Sequence, residues 1–318
     1  MTNLSKPKKL TRIDVLIVVL VCVCVCLLIQ GVVGPAFYHA RTKSIRFKCG
    51  NNLNDIGKAM RVYVNDYDGE FPRAGGRNCM WSSRIQQWLA DNPFVAYGLN
   101  ADGTGGEGTI TSCFYLLVKH SGVAPKSFVC PGDKETTEFR PVDDGVRDRE
   151  LTDLWDFGGE PIEHCSYSYH MPYGLYYQGP SHREYYGQFP LTTSSGPGMA
   201  VAADRNPWIA SPASEGKDPI LMYLFNPDGG KKAVNVGNAI DHQEDGQNVL
   251  FVDGHVGFEK RSFCGINNDN IYTYWDGGDI RRGGCPVPGL TILLDRLDSL
   301  LVNDGEDPPV LSSPSPIR

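Results

Sequence analysis

Apolar residues run unbroken from Val15 to Ile29 (VLIVVLVCVCVCLLI), within a longer apolar stretch from Ile13 to Val33. As a helix that stretch spans about 30 Å, one bilayer core, so the pattern predicts a transmembrane helix over 13–33. The basic leader 1–12 precedes it and favours a cytoplasmic N-terminus with the large C-terminal part exported. A cleavable secretory signal is the rival reading, with Gly34-Pro35-Ala36 as its cleavage site, but the run is longer than such a signal needs.

Beyond this stretch the period changes. Leu53, Ile56, Met60 and Tyr63/Val64 recur at three and four, one face of a helix that continues over 34–72 and stops in the polar, turn-rich run Asp66–Pro72. Pro35 is expected to kink this helix near its start. Short helices are predicted over Trp81–Ala90 and Thr111–Lys119, with a loop over Asn92–Gly108 between them. Strands are predicted at Phe128–Cys130, Ser166–His170 and Met199–Ala203. A terminal hairpin over 248–260 follows from two β-rich runs around Asp253-Gly254, a strong turn dipeptide. Residues 73–283 thus form a head domain with long loops. The tail 284–318 is Pro/Gly/Ser-rich and expected to be mostly disordered, with a short amphipathic segment at Leu290–Val302. The fold class expected is α+β: a long N-terminal transmembrane helix packed on an antiparallel sheet.

Charge sharpens this picture. The chain of 318 residues has a formal net charge of −7, but residues 1–48 hold eight Lys/Arg and one acid, Asp14. The remainder carries a net −14. A domain so acidic repels phosphate backbones and excludes nucleic-acid partners, whereas the basic N-terminal segments suit an anionic lipid bilayer.

Leu10-Thr11-Arg12-Ile13-Asp14 resembles a prepilin-type N-terminus: a basic leader, an apolar residue, Thr, two more residues and an acid before a long apolar helix. In this chain the acid is Asp rather than the usual Glu, and Lys9 stands where the leader normally ends in Gly. The stretch from Cys49 through Leu53, Ile56 and Gly57 to Pro72 is similar to the C-x-N-L-x-x-I-G-x-A-x-x-x-Y helix of a large group of bacterial pilin-like proteins. Ser127–Asp133, with Cys130-Pro131, and Ser166–His170 are similar to further segments of that group. Its His-X9-Asp-Gly element has a counterpart in His242…Asp253-Gly254-His255, here with ten intervening residues.

The resemblance implies a pilin-like or pseudopilin-like subunit of a type II secretion or type IV pilus-like system. It implies single-pass placement in the bacterial inner membrane, other pilin-like subunits and a prepilin peptidase as partners, processing between Lys9 and Leu10, and an Asp14 that pairs with a neighbouring subunit's amine.

Candidate chemistry is sparse. His242, Asp253 and His255 offer imidazole and carboxylate groups for a divalent ion or acid–base work, but an Asp in an Asp-Gly turn is also explained by turn geometry alone. The loop Tyr97–Gly108 resembles the calcium loop of the major pseudopilin of type II secretion. Asp102 and Glu107 would supply its carboxylates, where a hard cation wants six or more oxygens. Gly103, Gly105 and Gly108 match G-x-G-x-x-G, yet no strand precedes them, so a dinucleotide fold is not expected. Cys22, Cys24 and Cys26 point about 200° apart in succession and form no ligand cluster. Seven cysteines lie beyond residue 48, an odd number, with no C-x-x-C among them. The Tyr-rich stretch 167–186 offers flat faces for a polysaccharide, or aromatic bulk for a core.

With no nucleophile motif, no catalytic residue is assigned. The leading expectation is a non-enzymatic, membrane-anchored structural protein of the cell envelope without a resident cofactor. A polysaccharide-binding or envelope-binding module is the first alternative, and a metal-dependent enzyme built on His242, Asp253 and His255 the second.

Overall fold

The computed structural model describes residues 11–29, 31, 34–178, 183–186, 188–210 and 216–305. The chain divides into two compact units, 1–45 and 46–318. Lys9 and Leu10 lie outside the described residues.

Helix α1 (Arg12–Leu28) has 17 residues and begins in a capping box, where the Thr11 hydroxyl accepts from the Asp14 amide while the Asp14 carboxylate accepts from the Thr11 amide. Helix α2 (Gly34–Asp66) has 33 residues. The apolar helix is therefore short, about 26 Å, and the long helix carries Arg41, Lys43, Arg46, Lys48 and Lys58. Among the described residues no helix is long and apolar enough to cross a membrane. That finding overturns the expected fold class with its transmembrane helix over 13–33, and with it the single-pass inner-membrane placement. Hydropathy alone favoured the span because it counted the whole run to Val33, whereas α1 closes at Leu28. Pro35 stands in the first turn of α2, where a proline's missing N–H is tolerated.

The head contains β1 (Met80–Trp81), α3 (Pro93–Tyr97), β2 (Glu107–Gly108), α4 (Ile110–Ser121), β3 (Tyr167–His170), β4 (Leu175–Gln178), β5 (Arg183–Tyr186), β6 (Ala200–Asp204), α5 (Lys231–Asn235), β7 (Gln247–Phe251), β8 (Val256–Glu259) and β9 (Leu301–Val302). Five strands form one antiparallel sheet in the order β8-β7-β6-β3-β9. Strands β1 and β2 pair in parallel, and β4 and β5 form a separate hairpin.

Both faces of the sheet are covered, so β3, β6 and β7 are buried at every position rather than at alternate ones. On one face lies the second half of α2, with Leu53, Ile56, Met60, Tyr63 and Val64 buried. Gly57 permits close approach: a Cβ there would meet Leu250 Cδ1 at 2.7 Å. Phe114 of α4 packs on Tyr169 of the same face, ring centres 5.3 Å apart. The opposite face holds Ala203, Trp208, Val249, Phe251, Ile271 and Tyr272.

Several local expectations change. Phe128–Cys130 is not a strand, since Phe128 closes the proline-started 3-10 turn Pro125–Phe128, and the expected loop Asn92–Gly108 contains α3 and β2. Trp81–Ala90 is not a helix: Met80 and Ser82 donate to Gly106 and Gly108 carbonyls, so this backbone is engaged by β2. The tail from 284 is not loose as far as 305. Strand β9 pairs with β3, and the buried Asp304 carboxylate accepts from Trp81 Nε1 at 2.8 Å and from the Ile110 and Thr111 amides at 2.9 and 2.8 Å. It thereby satisfies free N–H groups at the start of α4, a role its sequence surroundings do not announce. Residues 306–318 lie outside the described residues.

Candidate functional site

Four segments meet under α2. Cys49 sits on the buried face of α2 and is joined to Cys130, which follows the 3-10 turn Pro125–Phe128, by a disulfide with Cα atoms 5.2 Å apart. Pro131 and Gly132 then turn the chain, and the Gly132 amide points at Cys130 Sγ, 3.4 Å away. Asp204 ends β6, and His242 precedes β7.

His242 Nε2 stands 3.0 Å from Asp204 Oδ2 and 4.0 Å from Cys130 Sγ. Asn248, the second residue of β7, donates to Asp204 Oδ2 from its backbone N–H at 2.6 Å and from its side chain at 3.1 Å. The sulfurs, the Asp204 carboxylate and the imidazole all lie within 4.8 Å of one another and are buried. Phe258 meets the imidazole edge-on, and the Arg46 guanidinium lies over Phe258 at 4.5 Å while pairing with Asp245 at 2.8 Å.

The electrostatics follow from burial. Desolvation alone would push the His242 pKa down, but the adjacent Asp204 charge and hydrogen bond outweigh it and raise the pKa. The neighbouring Asp241 is pushed up to about 7, first by burial and then by Asp133. Asp133 is itself paired with the buried Arg205 at 3.3 Å. At this cluster Asp204 Oδ1, Asp241 Oδ2 and His242 Nδ1 are buried and find no hydrogen-bond partner among the described residues. Such atoms occur elsewhere in this interior as well, among them Tyr97 Oη and Trp208 Nε1, and each leaves room for water or another polar group to bind.

The sequence-derived triad does not converge. His242 is buried at one end of β7, whereas Asp253 and His255 lie exposed beyond its other end, about 17 Å of strand away. There Asp253 Oδ1 accepts from the His255 amide at 3.0 Å and pairs with Nδ1 at 2.6 Å, and both interactions hold its pKa down. His255 stacks on Phe251, and Arg61 of α2 donates to the Asp253 carbonyl. Gly254 takes φ of +82°, as its place in the turn requires.

Asp102 is engaged inside its own loop, accepting from the Thr104 amide at 3.0 Å and hydroxyl at 2.7 Å, which lowers its pKa. Glu107 lies in β2, and among the described residues no group of three or more His, Cys, Asp and Glu donors includes either residue. Tyr167, Tyr169 and Tyr173 are buried and present no face to a sugar. The side chains of 175–187 lie outside the described residues.

Of the family-like positions, Cys49, Leu53, Ile56, Gly57, Cys130 and His242 converge on this site or on the α2–sheet contact beside it. The partner the sequence reading missed is Asp204. Its one signal is a carboxylate closing the otherwise apolar run Ala200–Ala203. Comparison with known protein families, with curated proteins and with solved structures finds no match.

Proposed function

We propose that this chain is a non-enzymatic, pilin-like structural subunit that assembles with copies of itself through α1. The observation that carries the reading is the surface of α1, apolar on every side and without a buried residue. A helix of that composition is stable in water only when covered on all faces, and identical helices provide matching apolar faces. The Thr11–Asp14 capping box gives each copy a defined start. In the head, Asp253 and Asp102 are engaged within their own turns, which favours structure over catalysis at those positions.

Cys22, Cys24 and Cys26 are exposed on α1 and provide natural probes. Mild oxidation of the full chain should yield covalent dimers whose linking peptides contain these cysteines. Leu20→Glu should abolish the dimers while leaving the melting temperature of the head unchanged. Monomers only, or links confined to cysteines of the head, would refute assembly through α1.

A further inference from the structure

The cluster under α2 holds two sulfurs, an imidazole and a carboxylate, a donor set that suits zinc once the sulfurs are thiolates. We propose that Cys49, Cys130, His242 and Asp204 form a redox-gated zinc site: closed as a disulfide when oxidised, and a four-ligand tetrahedral centre when reduced.

Several observations carry this. All four donors are buried, arrive on separate segments, and already lie within 4.8 Å of one another. A tetrahedral zinc ion with sulfur ligands at about 2.3 Å and nitrogen or oxygen at about 2.0–2.2 Å needs donor separations of about 3.3–3.8 Å, so the sulfurs must turn apart once their bond is cut while the other donors stay within reach. Asp204 Oδ1 is buried without a partner and is free to turn to an ion, while Oδ2 keeps its hydrogen bonds from Asn248. Those bonds orient the carboxylate, as outer partners of metal ligands commonly do. His242 Nε2 faces both the carboxylate and Cys130 Sγ, so it points into the cluster; it donates to Asp204 in the oxidised protein and becomes a ligand when that proton leaves.

The chemistry balances. A dithiol reductant passes two electrons and two protons to the S–S bond and closes to its own disulfide, leaving Cys49 and Cys130 as thiols. Zinc then displaces the two thiol protons and the Nε2 proton that His242 gives to Asp204, all three passing to solvent, and forms two Zn–S bonds with His242 Nε2 and the Asp204 carboxylate completing the set. In the reverse direction a small-molecule disulfide accepts two electrons from the two thiolates and two protons from solvent and leaves as two thiols, so the Cys49–Cys130 bond re-forms and zinc is released.

The test uses the full wild-type chain, reduced anaerobically with a phosphine, which takes oxygen from water as the S–S bond becomes two thiols. Alkylation with iodoacetamide, read peptide by peptide, is compared with and without one equivalent of zinc sulfate. Zinc should slow alkylation of Cys49 and Cys130 selectively, and cobalt in its place should give a sulfur-to-metal charge-transfer band with a tetrahedral ligand-field pattern. Asn248→Ala should weaken zinc affinity by about 10–100-fold. Equal alkylation with and without zinc overturns the proposal, as does protection of other cysteines alone, or an octahedral cobalt spectrum. If the reduced chain loses its fold, restoration of its circular dichroism by zinc supports the site and failure to restore it overturns it. None of these readouts depends on assembly through α1.

Discussion

His242 and His255 stand close in sequence yet meet opposite environments. His242 is buried against Asp204, and removing the imidazole leaves a carboxylate in the interior without its charge partner. His242→Ala is expected to cost about 3–5 kcal/mol in chemical denaturation of the oxidised protein. His255 pairs with Asp253 on an exposed turn, where solvent screens the charges, so His255→Ala should cost less than about 1 kcal/mol. Comparable losses for the two variants would show that burial does not separate their roles. Spacing could not reveal this division, because one residue precedes a strand and the other follows its turn. Their difference comes from what α2 and β6 place around each.

At the level of elements, α2 and β7 are held together by the absence of a side chain at Gly57. Alanine is favoured over glycine in a helix by about 1 kcal/mol, so an isolated α2 would gain from Gly57→Ala. Here the added Cβ would press on Leu250, which is itself buried. Overpacking costs about 1–3 kcal/mol, so the variant should melt at a lower temperature than the parent. Adding Leu250→Val should recover part of that loss. An unchanged or raised midpoint for Gly57→Ala would mean that α2 can move away from the sheet freely. The periodicity of Leu53, Ile56, Met60 and Tyr63 marked the buried face of α2 in advance. The approach distance was legible only as a glycine within that pattern. Trp81–Ala90 shows the opposite case. Its apolar spacing suits a helix, but hydrogen bonds to Gly106 and Gly108 bind its start to β2, and tertiary pairing overrides the local preference.

Across the whole molecule, buried carboxylates set the pH response. Burial raises Asp156 and Asp269 to about 8 and Asp298 to about 7. Repulsion from Asp304 adds to the first shift, and repulsion from Asp298 to the second. A carboxyl raised in the fold contributes stability at pH below its unfolded pKa and loses it as pH climbs through the folded value. His170, depressed to about 4 by burial, acts the other way, but its stability is lost only as pH falls from about 6.5 toward 4. Between pH 6.5 and 8 the carboxylates therefore dominate, and the thermal midpoint should fall as pH rises across that window. Asp156→Asn should flatten the slope. A midpoint that rises with pH would contradict the burial assigned to these groups.

By itself the sequence determined the apolar run that becomes α1, the amphipathic face of α2, the helix at α4 and the strands around Ser166–His170, Met199–Ala203 and the Asp253-Gly254 turn. Each is a property of neighbours three, four or two residues apart, which local chemistry suffices to read. Only the tertiary structure decided that Asp304 caps α4 from the far end of the chain, and that Asp204 joins Cys49, Cys130 and His242. These depend on which distant segments share one buried space. There desolvation makes a charge or a thiol costly unless a partner is supplied, and no local pattern encodes which partner arrives.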